Sequence, residues 1–227
     1  MPVVLDWLGR VGYPETWAAM RTLTDQRTPD SPDRLWFLEH PAVFTLGQAG
    51  KQAHLLAPGA IPVVVSDRGG QVTYHGPGQL LVYTLLDLKR RRMGIRDLVT
   101  RLEDSVINLL AEHHIPAVSR RDAPGVYVHG AKVAALGLRV RRSCSYHGLA
   151  LNVAMDLEPF QRINPCGYAG LAVTDCRSLG LDLTVSDAAR GLCLHLLRAL
   201  QVDPGSAHWR RSPTTGVQPQ TLGVADV

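Results

Sequence analysis

Cysteine is sparse in this 227-residue chain, and none of it is paired by spacing: Cys144, Cys166, Cys176 and Cys193 form no CxxC and no zinc-ribbon pattern. In a chain of this length, four such cysteines read as free thiols in a reducing compartment. The phosphate-cradling patterns GxxxxGK[ST] and GxGxxG opening a helix are missing. No basic segment followed by an apolar one marks a leader at Met1–Gly12, and every long uncharged stretch is interrupted by Gly, Pro or polar residues. These absences lead to the expectation of a cytoplasmic protein with no membrane partner. No internal repeat is present. Charge of one sign is also modest: the net charge of +4 and pI near 9.0 suit an acidic partner but not a nucleic-acid binder. The 45% hydrophobic content suffices for one core without cross-links.

Helical periodicity is strong in two places. Ile95, Leu98, Val99, Leu102, Val106 and Leu110 recur on one face, with Pro116 beyond the end. Val185, Ala188, Ala189, Leu192, Leu196 and Leu200 do the same after a capping box of Thr184 and Asp187. A weaker helix is expected from Pro14 to about Gln26. Branched runs at 35–38, 61–65, 79–86, 126–128, 132–140 and 147–153 read as strands. Their clustering, rather than strict alternation with helices, predicts an α+β fold. Residues 1–203 are expected to form the folded domain, and 204–227 a polar tail, extended or disordered.

Three segments carry chemistry. In Arg68-Gly-Gly-Gln-Val-Thr-Tyr-His75-Gly-Pro-Gly-Gln79, glycines that allow close backbone approach stand beside arginine and histidine donors. Tight hairpin turns consume the same residues, so both readings stay open. In Gly130-Ala-Lys132-Val-Ala-Ala-Leu-Gly137, an ammonium group sits within an apolar run, which is costly unless strand alternation turns it to solvent. In Asn164-Pro-Cys166-Gly167, proline and glycine place one thiol of the four on a sharp turn. A nearby lysine would favour its thiolate. The runs Lys89–Arg92 and Arg139–Arg142 are either solvated faces or docking surfaces for an acidic protein.

Taken together, RGGQVTYHGPGQ at 68–79, GAKVAALG at 130–137, HGLALNV at 147–153 and NPCG at 164–167 resemble the octanoyltransferase family (lipoyl-protein ligase B) in order and spacing. The resemblance runs from the N-terminal helix to about Leu200. It implies the fold shared by biotin and lipoate protein ligases, a single domain with a mixed β-sheet flanked by helices, with residues 1–203 as the catalytic domain. It also implies ATP-independent transfer of octanoyl from octanoyl-acyl carrier protein to a lysine of lipoyl domains, in 2-oxoacid dehydrogenase complexes and in the glycine cleavage H protein. Cys166 matches the nucleophile and Lys132 the lysine that activates it. Arg68, Gly69, Gly70 and Gln71, with Val72, Thr73, Tyr74 and His75, match one wall of the acyl site. Ala135, Leu136 and Gly137 match a second wall, and Gly148, Leu149 and Ala150 a third. Val72, Leu136, Leu138, Leu149 and Leu151 are candidates to line an eight-carbon channel, though some must face the core. Cys176 departs from the family pattern. No metal and no cofactor are implied, and a monomer is expected. The alternatives are an ATP-dependent lipoate or biotin-type ligase, a thioester hydrolase pairing Cys166 with His75 or His147, and a non-enzymatic acyl-binding module.

Overall fold

The computed structural model describes residues 3–167 and 170–211, the side chains of Cys166 and Arg211 excepted. The three expected helices form: α1 (Tyr13–Asp25), α2 (Ile95–Glu112) and α3 (Val185–Ala199). At α3, Thr184 Oγ1 accepts from Asp187 N–H (3.1 Å), and Asp187 Oδ2 accepts from Thr184 N–H (3.2 Å). The sequence-predicted box thus satisfies two N–H groups the helix itself leaves unpaired. Helix α2 stops where His114 turns left-handed (φ 60°) and Ile115 N–H returns to Leu110 O.

Among the described residues, eleven strands accompany the helices: β1 (Val3–Arg10), β2 (Asp33–Glu39), β3 (Val43–Leu46), β4 (Val63–Val65), β5 (Val72–His75), β6 (Gln79–Leu85), β7 (Val118–Ser119), β8 (Gly125–Val128), β9 (Ala131–Arg141), β10 (Cys144–Asn152) and β11 (His208–Arg211). Eight form one sheet in the order β11-β1-β2-β6-β10-β9-β8-β7, and the other three a small sheet in the order β4-β3-β5. β11, β1 and β2 run parallel, while every later pairing in the large sheet is antiparallel, so the sheet is mixed as expected. Two-residue turns with left-handed φ join its hairpins: His129-Gly130 (49° and 82°) and Arg142-Ser143 (50° and 61°). Such turns match the right-handed twist of paired strands.

Strand alternation sends successive side chains to opposite faces. Leu35, Phe37, Leu80, Val82, Leu149 and Leu151 pack with Leu102, Val106, Leu192 and Leu196 of α2 and α3. Trp36, Leu38, Leu81 and Tyr83 belong to a second cluster that includes Met20 of α1. Among the described residues no helix is long and apolar enough to cross a membrane.

Two expectations change in detail. Within the expected tail, Pro204–Ser206 forms a short 3-10 turn and His208–Arg211 pairs with β1, with Trp209 against Phe37 (centroids 5.2 Å); residues 212–227 lie outside the described residues. The Lys89–Arg92 run is not a uniform solvated face. The buried Asp33 carboxylate accepts from Arg90 (2.7 Å), Arg91 (2.6 Å) and Arg27 (2.6 Å), because a desolvated carboxylate needs partners.

Candidate active site

The cleft lies on the face of the large sheet opposite α2 and α3. Its floor comes from three strands: Leu81 and Tyr83 on β6, Ala150 and Gly148 on β10, and Ala135 and Gly137 on β9, with Gln79, Asn152 and Lys132 farther along the same strands. Cross-strand register sets Leu81 beside Ala150 and Ala135, and Tyr83 beside Gly148 and Gly137. Small residues on two of three strands leave a trough where a ligand can lie against the backbone. Gly148 has no alternative, since a Cβ there would come within 2.0 Å of Val82 O. The cleft is narrow, with an internal volume of about 50 Å³.

Lys132 joins this face through a β-bulge. Tyr127 pairs with Lys132 but Val126 pairs with Ala134, so Val133 is an extra residue. Without it, Lys132 and Ala135 would point to opposite sides; with it, both lie on the same side of the sheet. The side chain is only 3% exposed. Its Nζ donates to Pro124 O (3.1 Å) and stands 5.1 Å from the centroid of Tyr127. A Cβ on Gly125 would lie 3.0 Å from Lys132 Cε, so that glycine makes room for the side chain. Glu103, whose carboxylate accepts from Gly125 N–H (2.8 Å), is the nearby countercharge; burial pushes its pKa up.

The backbone of Cys166 lies in a 3-10 turn, Pro165–Gly167, closed by Gly167 N–H to Asn164 O (2.9 Å). This is the sharp turn the flanking proline and glycine predict; the thiol itself lies outside the described residues. Gly167 packs against the Gln71 side chain. Farther along, Lys132 N–H donates to Ala172 O (2.8 Å), and Thr174 N–H donates to Lys132 O (3.0 Å). The chain leaving the cysteine turn is therefore stitched to the lysine.

The glycine-rich segment is a strand and a loop rather than turns alone. Gly69 N–H bonds Leu138 O (3.0 Å), laying the loop over β9. The buried Arg68 guanidinium donates to Thr45 Oγ1 (2.8 Å), Thr45 O (2.6 Å) and Gln71 O (2.6 Å), which ties the loop to β3. His75 Nδ1 meets Gln79 Oε1 (2.7 Å), Gln79 Nε2 donates to Asn152 Oδ1 (2.9 Å), and Asn152 Nδ2 donates to Thr174 O (2.9 Å). The fixed carbonyl at the end of this row sets both amides. The His75 proton therefore sits on Nδ1 and its Nε2 is an acceptor.

Aromatic and imidazole rings wall the other end. Tyr13 stacks between His75 (5.9 Å) and His147 (6.4 Å), and Tyr83 donates to His40 Nε2 (2.7 Å), whose Nδ1–H bonds Val11 O (2.6 Å). Burial drives His40 down to about 4, His75 well below its ordinary value, and His147 down as well. All three are neutral at pH 7. Asp67 is the charged member. Burial pushes its carboxyl up, but donors from His147 (3.0 Å), Tyr146 (2.6 Å) and Trp17 (2.8 Å) outweigh that and hold it low. With a neutral imidazole, the His147–Asp67 contact is a hydrogen bond rather than an ion pair.

Of the expected wall residues, Arg68, Gly70, Gln71, Val72, Thr73 and His75 line the cleft. So do Ala135, Leu136 and Gly137, and Gly148, Leu149 and Ala150. Gly69 and Tyr74 do not; Tyr74 packs against Phe44 and Phe160 (centroids 5.5 Å each). Leu151 belongs to the helix-side core and Leu138 packs against it, while Leu149 borders the cleft although its side chain is in that core too. Tyr13, Leu81 and Tyr83 line the cleft without having been anticipated, and Asp67, Gln79 and Asn152 support it. Of these, only Gln79 and Asn152 lay inside noted motifs. Cys176 (0% exposed) and Cys193 are core thiols pushed up to about 12 by burial.

Residues 12–196 match the lipoyl protein ligase A/B catalytic domain. An octanoyltransferase of Alkalilimnicola ehrlichii is 60% identical over 198 residues, 87% of this chain and 92% of that one. One from Cellvibrio japonicus is 65% identical over 172 residues, covering 76% and 80%. This chain belongs to the octanoyltransferase family. The fold agrees with that membership. A lipoate-protein ligase A structure bound with ATP superposes with TM-score 0.76 at 15% identity, covering 95% of this chain and 90% of that one. A biotin protein ligase from Aquifex aeolicus with biotin and ATP gives 0.55 at 16%, covering 87% and 70%. The octanoyltransferases are thus close relatives in sequence, and the ligases share their α+β fold.

Proposed function

We propose that this acyltransferase takes an octanoyl group from octanoyl-acyl carrier protein and places it on a lysine of lipoyl domains, without ATP, through a thioester on Cys166. The observation that carries this reading is the small-residue trough on β9 and β10 with a buried lysine farther along β9, to which Ala172 and Thr174, a few residues after the Cys166 turn, are bonded. The Cys166 thiolate attacks the donor thioester carbonyl, and the carrier sulfur leaves as a thiol by taking a proton from the Lys132 ammonium, which becomes a neutral amine. Lys132 favours the thiolate at Cys166 as a neighbouring cation. The acceptor amine then attacks the acyl-cysteine; Lys132 receives its proton, and the amide forms as the cysteine thiolate departs. In this reading, backbone N–H groups of the glycine-rich loop stabilise the oxyanion of each tetrahedral intermediate. Thioester-to-amide transfer is downhill, so nothing in the sequence needs to activate a free acid. Acceptors of this class are lipoyl domains of 2-oxoacid dehydrogenase complexes and the glycine cleavage H protein. The enzyme acts as a cytoplasmic monomer in this reading.

The test is single-turnover octanoyl transfer to a lipoyl domain by wild type and Cys166→Ser, each with and without ATP. Transfer by wild type that is indifferent to ATP and lost in Cys166→Ser is expected. Full ATP-dependent ligation by Cys166→Ser would replace this reading with an adenylating ligase, and release of free octanoate alone would replace it with a hydrolase.

A further inference from the structure

His147 carries two local costs that packing does not repay. It is a non-glycine residue with φ 59° inside β10, and its buried Nδ1 has no hydrogen-bond partner among the described residues. Both costs fall on a residue that lines the cleft. The ring is nevertheless held firmly: Asp67 accepts from Nε2–H (3.0 Å), Tyr146 stacks on it (5.1 Å), and Tyr83 meets it edge-on (5.9 Å). Asp67 is itself fixed by Tyr146 and Trp17. A fold selected for stability alone would place glycine at this backbone angle, so the side chain is retained for what it does in the cleft.

The position of the ring suggests what that is. Gln79 and Asn152 mark the reacting end of the trough, level with Lys132 through Thr174. Gly148 and Tyr83 mark the other end, four residues back along β10. Four residues span about 13 Å at roughly 3.3 Å each. An octanoyl thioester extends about 10 Å from sulfur to its last carbon, at the roughly 1.2 Å per bond of an extended chain. Van der Waals contact takes up most of the remainder, and His147 follows Gly148 directly.

We propose that His147, clamped by Asp67, is the stop that sets the length of the acyl chain this enzyme accepts. This rests on the acyl-transfer reading above. An eight-carbon chain ends against the imidazole, whereas a ten-carbon chain adds about 2.5 Å by the same spacing and runs into it. The left-handed backbone turns the ring across the trough, and the Asp67 hydrogen bond keeps it from swinging aside.

The experiment compares kcat/KM for hexanoyl, octanoyl, decanoyl and dodecanoyl carrier proteins in wild type, His147→Gly and His147→Asn. Glycine and asparagine both tolerate the left-handed backbone, so each variant keeps the strand while shortening the side chain. The decanoyl-to-octanoyl ratio is expected to rise on the order of ten-fold in His147→Gly, as two methylenes gain buried space, and less in His147→Asn. A parallel fall at every length, with the ratio unchanged, would overturn the proposal. Wild-type crystals carrying an octanoyl thioester provide a second readout that needs no variant. The terminal carbon is expected within about 4 Å of the imidazole, and a chain ending elsewhere would overturn the proposal equally. Failure of the transfer reading itself would look different, since Cys166→Ser would then keep its activity at all lengths.

Discussion

On β6 and β10, Leu80, Val82, Leu149 and Leu151 face α2 and α3, while Leu81, Tyr83, Gly148 and Ala150 face the cleft. The same strands therefore finish their two sides in opposite ways. The helix side is filled by interlocking aliphatic side chains from three elements, where volume decides stability. The cleft side is floored with alanine and glycine and walled by neutral imidazoles, a buried lysine and one held carboxylate. The first face is expected to tolerate chemical change that keeps volume, and the second to tolerate almost none. A period-two strand thus supports a core and a site at once, provided one phase is bulky and the other small.

Mutations on each side should separate activity from stability. The largest effect is expected on the cleft side, where Cys166→Ser should lower octanoyl transfer by about 10³-fold or more without shifting the urea midpoint. On the fold side, Asp33→Asn should cost about 3–5 kcal/mol in urea melts at pH 7, by leaving three arginines on a neutral group. Burial pushes the Asp33 carboxyl up, but the Asp87 N–H and the charges of Arg91 and Arg90 outweigh it and hold the pKa below its ordinary value. That contribution is present above the ordinary carboxylate range and lost as pH falls through the lowered folded value. The gap between variant and wild type should therefore close in melts at acid pH. Leu192→Ala, fully buried on the helix side, should cost about 2–5 kcal/mol and leave kcat/KM intact. Equal loss of activity there would break the division between the faces. Lys132→Ala should slow transfer about 100-fold and move the pH profile of Cys166 alkylation upward. The smallest effect is expected at Cys176 and Cys193, which should resist alkylation in the native protein at pH 8, since burial holds both near 12.

Much of the helix side was legible in the sequence, because α2 and α3 carry long apolar stripes and α3 a capping box. The strands that escaped notice are ones whose identity depends on partners. β1 is interrupted by Asp6, which is paired with Arg34 (2.9 Å), and by Gly9 at an irregularity; β7 and β11 are short edges. β5 was hidden because its glycine-rich approach reads equally as turns. The chemistry of the cleft was visible as motifs, but its geometry was not. Lys132 lies in an otherwise apolar run that cannot reveal a bulge, and the bulge decides which way the lysine faces. Tyr13, His40 and Asp67 come from separate segments, with nothing local to link them. The arginine run at 89–92 looked like a surface because Asp33, the residue that gathers Arg90 and Arg91, is more than fifty positions away.

The proposed reaction requires an acyl group to pass through Cys166. Mass spectrometry after mixing the enzyme with octanoyl-acyl carrier protein, with no acceptor and no ATP, tests it most directly. The predicted result is a gain of one octanoyl group on the peptide containing Cys166, discharged when a lipoyl domain is added. An unmodified Cys166 peptide under conditions where transfer proceeds would contradict it.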